Sequence, residues 1–289
     1  MRDAHSSRRS FLAGSVASCL AAGALPRLLW AAEGKAGKTV ELPVRWQVKN
    51  GDEFIPKTES RQLPAEKTAI VICDMWNQHW CASATRRCGE IAQRMAPLID
   101  QARAAGIAIV HAPSDTLGFY KDHPARKRAL AISLVEPPVP IAGWCHLDKA
   151  AEGPLPIDDT DGGCDCQPQC KQGSPWTRQH AAINIADEDF ISDDGRQVYS
   201  FFHQRGIDNV LIMGVHTNMC ILGRSFGIRQ LTRLGLNTVL VRDLTDTMYN
   251  PRMKPFVPHE DGTALVIAHI ERNWCPTTHS TALSAGLTG

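Results

Sequence analysis

The chain has 289 residues, 43% of them hydrophobic, enough to bury a substantial core in one large domain or two small ones. Lysine plus arginine total 31 against 30 for aspartate plus glutamate, so no global field exists to gather nucleic acid or an anionic membrane surface. A small-molecule substrate is the expected partner, and no nucleic acid is.

The first element in chain order is a targeting segment, residues 1–32. Ser7-Arg8-Arg9-Ser10-Phe11-Leu12 sets paired arginines before an uncharged apolar run from Phe11 to Leu25, which resembles a twin-arginine export signal. Cleavage is open between Ala22-Gly23-Ala24 and Ala31-Ala32, and Val16-Ala17-Ser18-Cys19 looks like a lipoprotein box. Soluble periplasmic release is preferred over a lipid anchor on Cys19. No later uncharged apolar stretch reaches ~18 residues, so no mature membrane span is expected. In an oxidising compartment Cys164, Cys166 and Cys170 are read as disulfide partners of one another or of Cys145, or as free thiols. Zinc ranks below these, because no CxxC pair occurs.

Residues 33–289 read as one domain with an N-terminal extension (33–64) and an insertion (118–177). Within the extension, Lys38 to Pro64 alternates like a strand and predicts a ribbon. Apolar, β-branched runs predict buried strands at Thr68 to Cys73, Ile107 to His111, Ala181 to Ile185, Asn209 to Val215, Thr238 to Val241 and Ala264 to Ala268. Helical patterns fill Thr85 to Ala105, Gly195 to Gln204 and Ile221 to Leu234, each followed by glycine as a stop signal. This alternation predicts a three-layer, Rossmann-like α/β fold with a mainly parallel sheet flanked by helices. The insertion opens with a basic helix-like stretch, Ala125 to Leu134, then turns rich in Pro, Gly, Asp and Cys, as binding loops often are. Asp158 to Asp165 reads as an acidic turn rather than a calcium loop, since the terminal glutamate is absent.

In open α/β sheets ligands bind beyond the carboxyl ends of the strands. Two such ends carry chemistry. Val71-Ile72-Cys73-Asp74-Met75-Trp76-Asn77-Gln78-His79-Trp80 delivers an aspartate and then an aromatic, polar loop. Gly214-Val215-His216-Thr217-Asn218-Met219-Cys220 delivers a cysteine to a helix start, where backbone N–H groups favour a thiolate and can hold an oxyanion. Thr217, Asn218 and Met219 form this nucleophile loop. Trp76, His79, His111 and His216 are candidate pocket residues, with Trp80 and Phe119 as further apolar wall. Asp243 and Asp246 are read as fixing a loop.

Together the two segments resemble the isochorismatase-like cysteine hydrolase superfamily over about Thr68 to Thr247. Gly214, Val215, Thr217 and Cys220 meet its Gly-Val-x-Thr-x-x-Cys signature, and Asp74 to Gln78 is similar to its aspartate loop. The resemblance implies a Cys220 nucleophile, Asp74 as proton carrier and cleavage of a C–N bond in a small amide-like or ureido-like substrate. It also implies a lysine after the third strand, but that position falls near Ala186, where none stands. Lys121 or Lys171 from the insertion are named instead. Nicotinamidases of the superfamily hold a divalent metal on an Asp-x-His, and here the equivalent stretch is His111-Ala112-Pro113-Ser114-Asp115. No cofactor is required by this reading, with a divalent metal on His79, His111 and Asp115 left open. Two rivals stay open as well: a non-catalytic binding relative, and a metal-dependent hydrolase with inert Cys220. Homo-oligomers are common among such relatives.

Overall fold

A computed structural model describes residues 37–288. The twin-arginine segment, its cleavage points and Cys19 lie outside these residues. The extension forms a hairpin of β1 (Thr39–Asn50) and β2 (Glu53–Pro64), joined by the two-residue turn Gly51-Asp52 with Gly51 at φ +64°. Val40, Leu42 and Val44 alternate inward along β1, while β2 is exposed over most of its length.

The remaining strands are β3 (Thr68–Cys73), β4 (Ala108–Ala112), β5 (Phe190–Ile191), β6 (Asn209–Val215), β7 (Asn237–Asp246) and β8 (Thr277–Thr278). With the hairpin they make one eight-stranded sheet in the order β2-β1-β8-β7-β6-β3-β4-β5. It is parallel from β8 to β5, and β1 is antiparallel to both its neighbours. The fold is a three-layer α/β sandwich, because β3, β4 and β6 are buried on both faces. On β3, Ile70 and Ile72 pack with α1 (Ala82–Ala104) and α8 (Ser280–Thr288). Ala69, Val71 and Cys73 pack the other way, against α4 (Gly195–Arg205), α6 (Ile228–Arg233) and α7 (His259–Asn273).

Three expectations are corrected. Ala181 to Ile185 is a turn that tucks Ile183 under the α1 face, and Phe190–Ile191 pairs with β4 instead. Ala264 to Ala268 lies inside α7: its apolar residues belong to a helical face with Val266, Ile267 and Ile270 buried, and β8 supplies the next strand. The helix expected over Ile221 to Leu234 is two short ones, α5 (Cys220–Gly223) and α6, separated by an extended Arg224. Glycines 106, 206 and 235 do stand at positive φ, at 89°, 64° and 80°.

The insertion carries α2 (Pro124–Leu130) and α3 (Lys149–Glu152). It is anchored by the buried Glu152 carboxylate, which accepts from Arg229 Nε and Nη2 (2.7 and 3.0 Å), His269 Nε2 (2.9 Å) and Trp274 Nε1 (2.7 Å). Among the described residues no helix is long and apolar enough to cross a membrane.

Candidate active site

The strand order reverses at β3, which leads to β4 on one flank while β6 lies on the other. The crevice beyond these carboxyl ends is where side chains from separate strands converge. Asp74 follows β3 directly, at φ +49°, a conformation that aspartate tolerates better than most residues. Gly214 runs alongside at φ +119°, and a Cβ there would lie 2.0 Å from Cys73 O. Only glycine lets β6 approach the end of β3 this closely.

Asp74 is fully buried and bound on both oxygens: Oδ1 accepts from Ser114 N (2.8 Å) and Oδ2 from Arg224 Nε (2.9 Å). The Cys220 thiol lies beside it, near enough for each group to shift the other's ionisation. Burial raises the Asp74 pKa, opposed by Arg224 and by the Ser114 and Cys220 contacts. Burial and the Asp74 charge push the Cys220 thiol well above its ordinary value. Burial therefore favours a neutral thiol at Cys220, while Arg224 favours the carboxylate form of Asp74. The four-residue α5 contributes little field, so the thiolate stabilisation expected from a long helix is not present.

Arg224 is the cation of the site. It pairs with Asp74, lies 3.7 Å from Asp115 and sits over the Trp144 ring at 5.7 Å. It reaches Asp74 because the chain leaves the helix at Gly223 and turns back before Gly227. Both glycines are needed: a Cβ would meet the Trp144 ring at 2.6 Å from Gly223, and Ile221 O at 2.8 Å from Gly227. Lys121 and Lys171 are exposed, and neither is brought to Asp74. Sequence reasoning passed over Arg224 because it lay within an expected continuous helix. Its spacing of four residues from Cys220, between two glycines, was the available signal.

The nucleophile loop is tied down rather than free. Thr217 N donates to Asp246 O (2.8 Å) and Met219 N to His216 O (3.0 Å). Asn218 Nδ2 donates to Asp159 Oδ2 (2.8 Å), so the acidic turn of the insertion braces the loop. Asp246 takes Arg87 Nε (2.9 Å) and His259 Nε2 (2.8 Å), and Asp243 takes Ser280 N (2.7 Å).

Three of the candidate pocket residues come together. Trp76 stacks on Trp176 at 4.4 Å between centroids, His79 lies 5.8 Å from Trp176, and His216 meets His79 edge-on at 4.8 Å. Trp176, from the insertion, completes this stack and was not singled out. Among the described residues the buried His216 Nε2 has no hydrogen-bond partner. His111 is elsewhere, fully buried, with Nδ1 on Gln179 Oε1 (3.1 Å) and Nε2 on Asp189 Oδ2 (3.0 Å). His79, His111 and Asp115 therefore do not form a metal-ligand set. Both ring nitrogens of His111 are spent, and Asp115 faces Arg224. A cleft of about 390 Å³ opens beside this aromatic stack, lined by Gln78, His79, Trp80, Lys171 and Pro175 among others. Phe119 lines a second cleft with Tyr120 and Arg178. Neither is lined by Asp74 or Cys220.

No protein-family profile and no curated protein matches the chain. Solved structures resemble it at a distance. A cysteine hydrolase from Pseudomonas syringae pv. phaseolicola 1448A is 15% identical over 78% of this chain and 93% of its own, at a TM-score of 0.48. An isochorismatase family protein from Burkholderia thailandensis is 15% identical over 78% and 97%, at 0.46. The pyrazinamidase of Pyrococcus horikoshii, solved in complex with zinc, is 14% identical over 74% and 99%, at 0.41. These are likenesses, and the chemistry rests on the geometry above.

Proposed function

We propose that this chain is an exported hydrolase of the isochorismatase-like cysteine hydrolase type, cleaving a C–N bond in a small amide-like or ureido-like substrate. The observation that carries the reading is the buried thiol of Cys220 and carboxylate of Asp74 with the half-buried guanidinium of Arg224 at the strand ends. As Cys220 Sγ bonds to the substrate carbonyl carbon, Asp74 takes the thiol proton. The C–N bond then breaks and Asp74 returns that proton to the departing nitrogen, leaving a thioester. Water adds to the thioester as Asp74 takes its proton, the C–S bond breaks, and the sulfur is reprotonated.

Arginine cannot exchange protons in this pH range, so Arg224 orients Asp74 and keeps it ionised while Asp74 carries every proton. The amides of Thr217 and Met219 are already committed to carbonyls, so the oxyanion is assigned to the Asn218 and Cys220 amides. Trp76, Trp176, His79 and His216 form the wall nearest the substrate. Cys220→Ser should reduce turnover of a responsive amide by at least ~1,000-fold, with the melting temperature little changed. Undiminished turnover by this variant, or after alkylation of Cys220, would sink the thiol mechanism.

Export belongs to the same proposal and rests on Arg8, Arg9 and the apolar run that follows. Fractionation of cells producing Arg8→Lys/Arg9→Lys should find the chain retained in the cytoplasm. Equal periplasmic recovery of variant and parent would refute the signal. Self-assembly remains part of the proposal on the strength of the resemblance alone.

A further inference from the structure

Outside the Cys220 centre, the cysteines that the sequence grouped inside the insertion meet one it did not. Cys164, Cys166 and Cys170 fold against Cys81, the residue capping α1. The sulfurs of Cys81, Cys164 and Cys166 all lie within 4.8 Å of one another, and Cys81 Sγ is 3.8 Å from Cys166 Sγ. Cys170 packs against this cluster from the same segment, outside that set of three. Cys145, weighed as a pairing partner, is elsewhere, with its sulfur on Gln230 Oε1 at 3.4 Å.

We propose that Cys81, Cys164, Cys166 and Cys170 bind one zinc-type divalent ion in a closed tetrathiolate site. With metal–sulfur bonds of about 2.3 Å, the edge of a tetrahedron of sulfurs is about 3.8 Å, the separation found between Cys81 and Cys166. Disulfides draw sulfurs together in pairs at about 2.05 Å, and nothing in that bond gathers three sulfurs around one point. Soft thiolates in a tetrahedron select zinc or iron–sulfur chemistry, and a compact knot of sulfurs suits a single ion better than a cluster that spreads its ligands.

The surroundings are built for thiolate charge. Binding releases four thiol protons and leaves a tetrathiolate complex of a divalent ion with a net charge of −2. In the first turn of the 23-residue α1, the Ser83 amide donates to Cys166 Sγ (3.4 Å). Ser83 Oγ lies 3.1 Å from Cys166 Sγ. Arg252 donates to Asp165 O and Cys166 O (3.4 and 3.2 Å), while Arg87 neutralises Asp165, whose Oδ1 is 3.7 Å from Cys81 Sγ. All four positions are filled by protein, so the ion is structural. It pins the insertion to the start of α1 at the residue whose amide donates to His79 Nδ1 (3.2 Å), and so fixes one wall of the cleft that holds Lys171.

Full-length protein purified without chelator, or incubated with zinc and desalted, is expected to hold one zinc per chain by elemental analysis and native mass spectrometry. Cobalt exchange should give the intense near-ultraviolet thiolate band and the visible bands of a tetrahedral four-sulfur site. Cys164→Ser/Cys166→Ser should lower zinc at least tenfold, while Cys220→Ala should leave it unchanged, which separates this site from the hydrolytic one. A parent protein with no zinc after incubation, or with these four cysteines mapped in disulfides, overturns the proposal. Undiminished zinc in the double variant does the same. If that variant fails to fold, the cobalt spectrum of the parent decides, and a spectrum lacking four-thiolate features refutes the site.

Discussion

Arg224 sets the working range of Asp74. Its side chain is 22% exposed while Asp74 is fully buried, so its loss strands a buried carboxylate without its cation. Arg224→Met should cost about 3 kcal/mol of stability and roughly 100-fold in activity. The sign of the pH effect follows from the chemistry. Catalysis needs ionised Asp74, burial raises its pKa and Arg224 opposes that rise. Activity therefore falls as pH drops through the raised Asp74 value, and removing Arg224 moves this acid limb to higher pH. Arg224→Lys should move it back in part, as a charge without the fixed fork would. A pH–rate profile that is the same in parent and Arg224→Met would contradict this role. At this scale Asp74 and Cys220 were legible in the sequence, because a residue ending an apolar strand has a known position. The cation was not, because which loop reaches a carboxylate depends on the break at Arg224, which rests on the close approaches at Gly223 and Gly227.

Elements were legible where one period ruled. Thr68–Cys73 and Asn209–Val215 are buried on both faces and have the bounds their apolar runs indicated. Ala264 to Ala268 misled because a five-residue apolar run fits a buried strand and a buried helix face equally, and the decision came from burial of His269 and Ile270 one turn later. Ala181 to Ile185 misled because the third strand is only two residues long and most of its segment is a turn held by His180 N on Met75 O (2.7 Å). Gly214 shows how tightly elements constrain one another at the site. Gly214→Ala would put a methyl against Cys73 O in a left-handed backbone, and should cost more than about 4 kcal/mol. Equilibrium denaturation would show it as a large fall in midpoint, and a midpoint within error of the parent's would contradict the close approach of β3 and β6.

Over the whole molecule, buried histidines tie folding to pH. His79 is pushed down to about 4 by burial and by Arg87, against the pull of Asp246. His216 is pushed down to about 3 by burial and then by His79, with Arg87 and His259 adding to the effect and Asp246 opposing it. The unfolded chain takes up these protons near 6.5, whereas the folded chain resists until about 4 and 3. Their contribution is thus fully present above 6.5 and declines steadily as pH falls below it. Melting temperature should drop between about pH 7.5 and about pH 5, and His216→Phe should flatten that slope. Equal melting temperatures at both ends would refute the linkage.

The hairpin has a further consequence for how copies of this chain meet. Among the described residues β2 pairs only with β1, so its other rim carries unpaired backbone groups for much of twelve residues. At the far end β5 offers two residues. Glu53, Lys57, Glu59 and Arg61 stud the open rim, and a strand joining there would have to settle its charges against theirs as it gained backbone bonds. Such a border resists being used as a template for sheet extension. Copies that associate stably are then expected to meet through their helical layers, leaving each sheet to end where its own chain ends it.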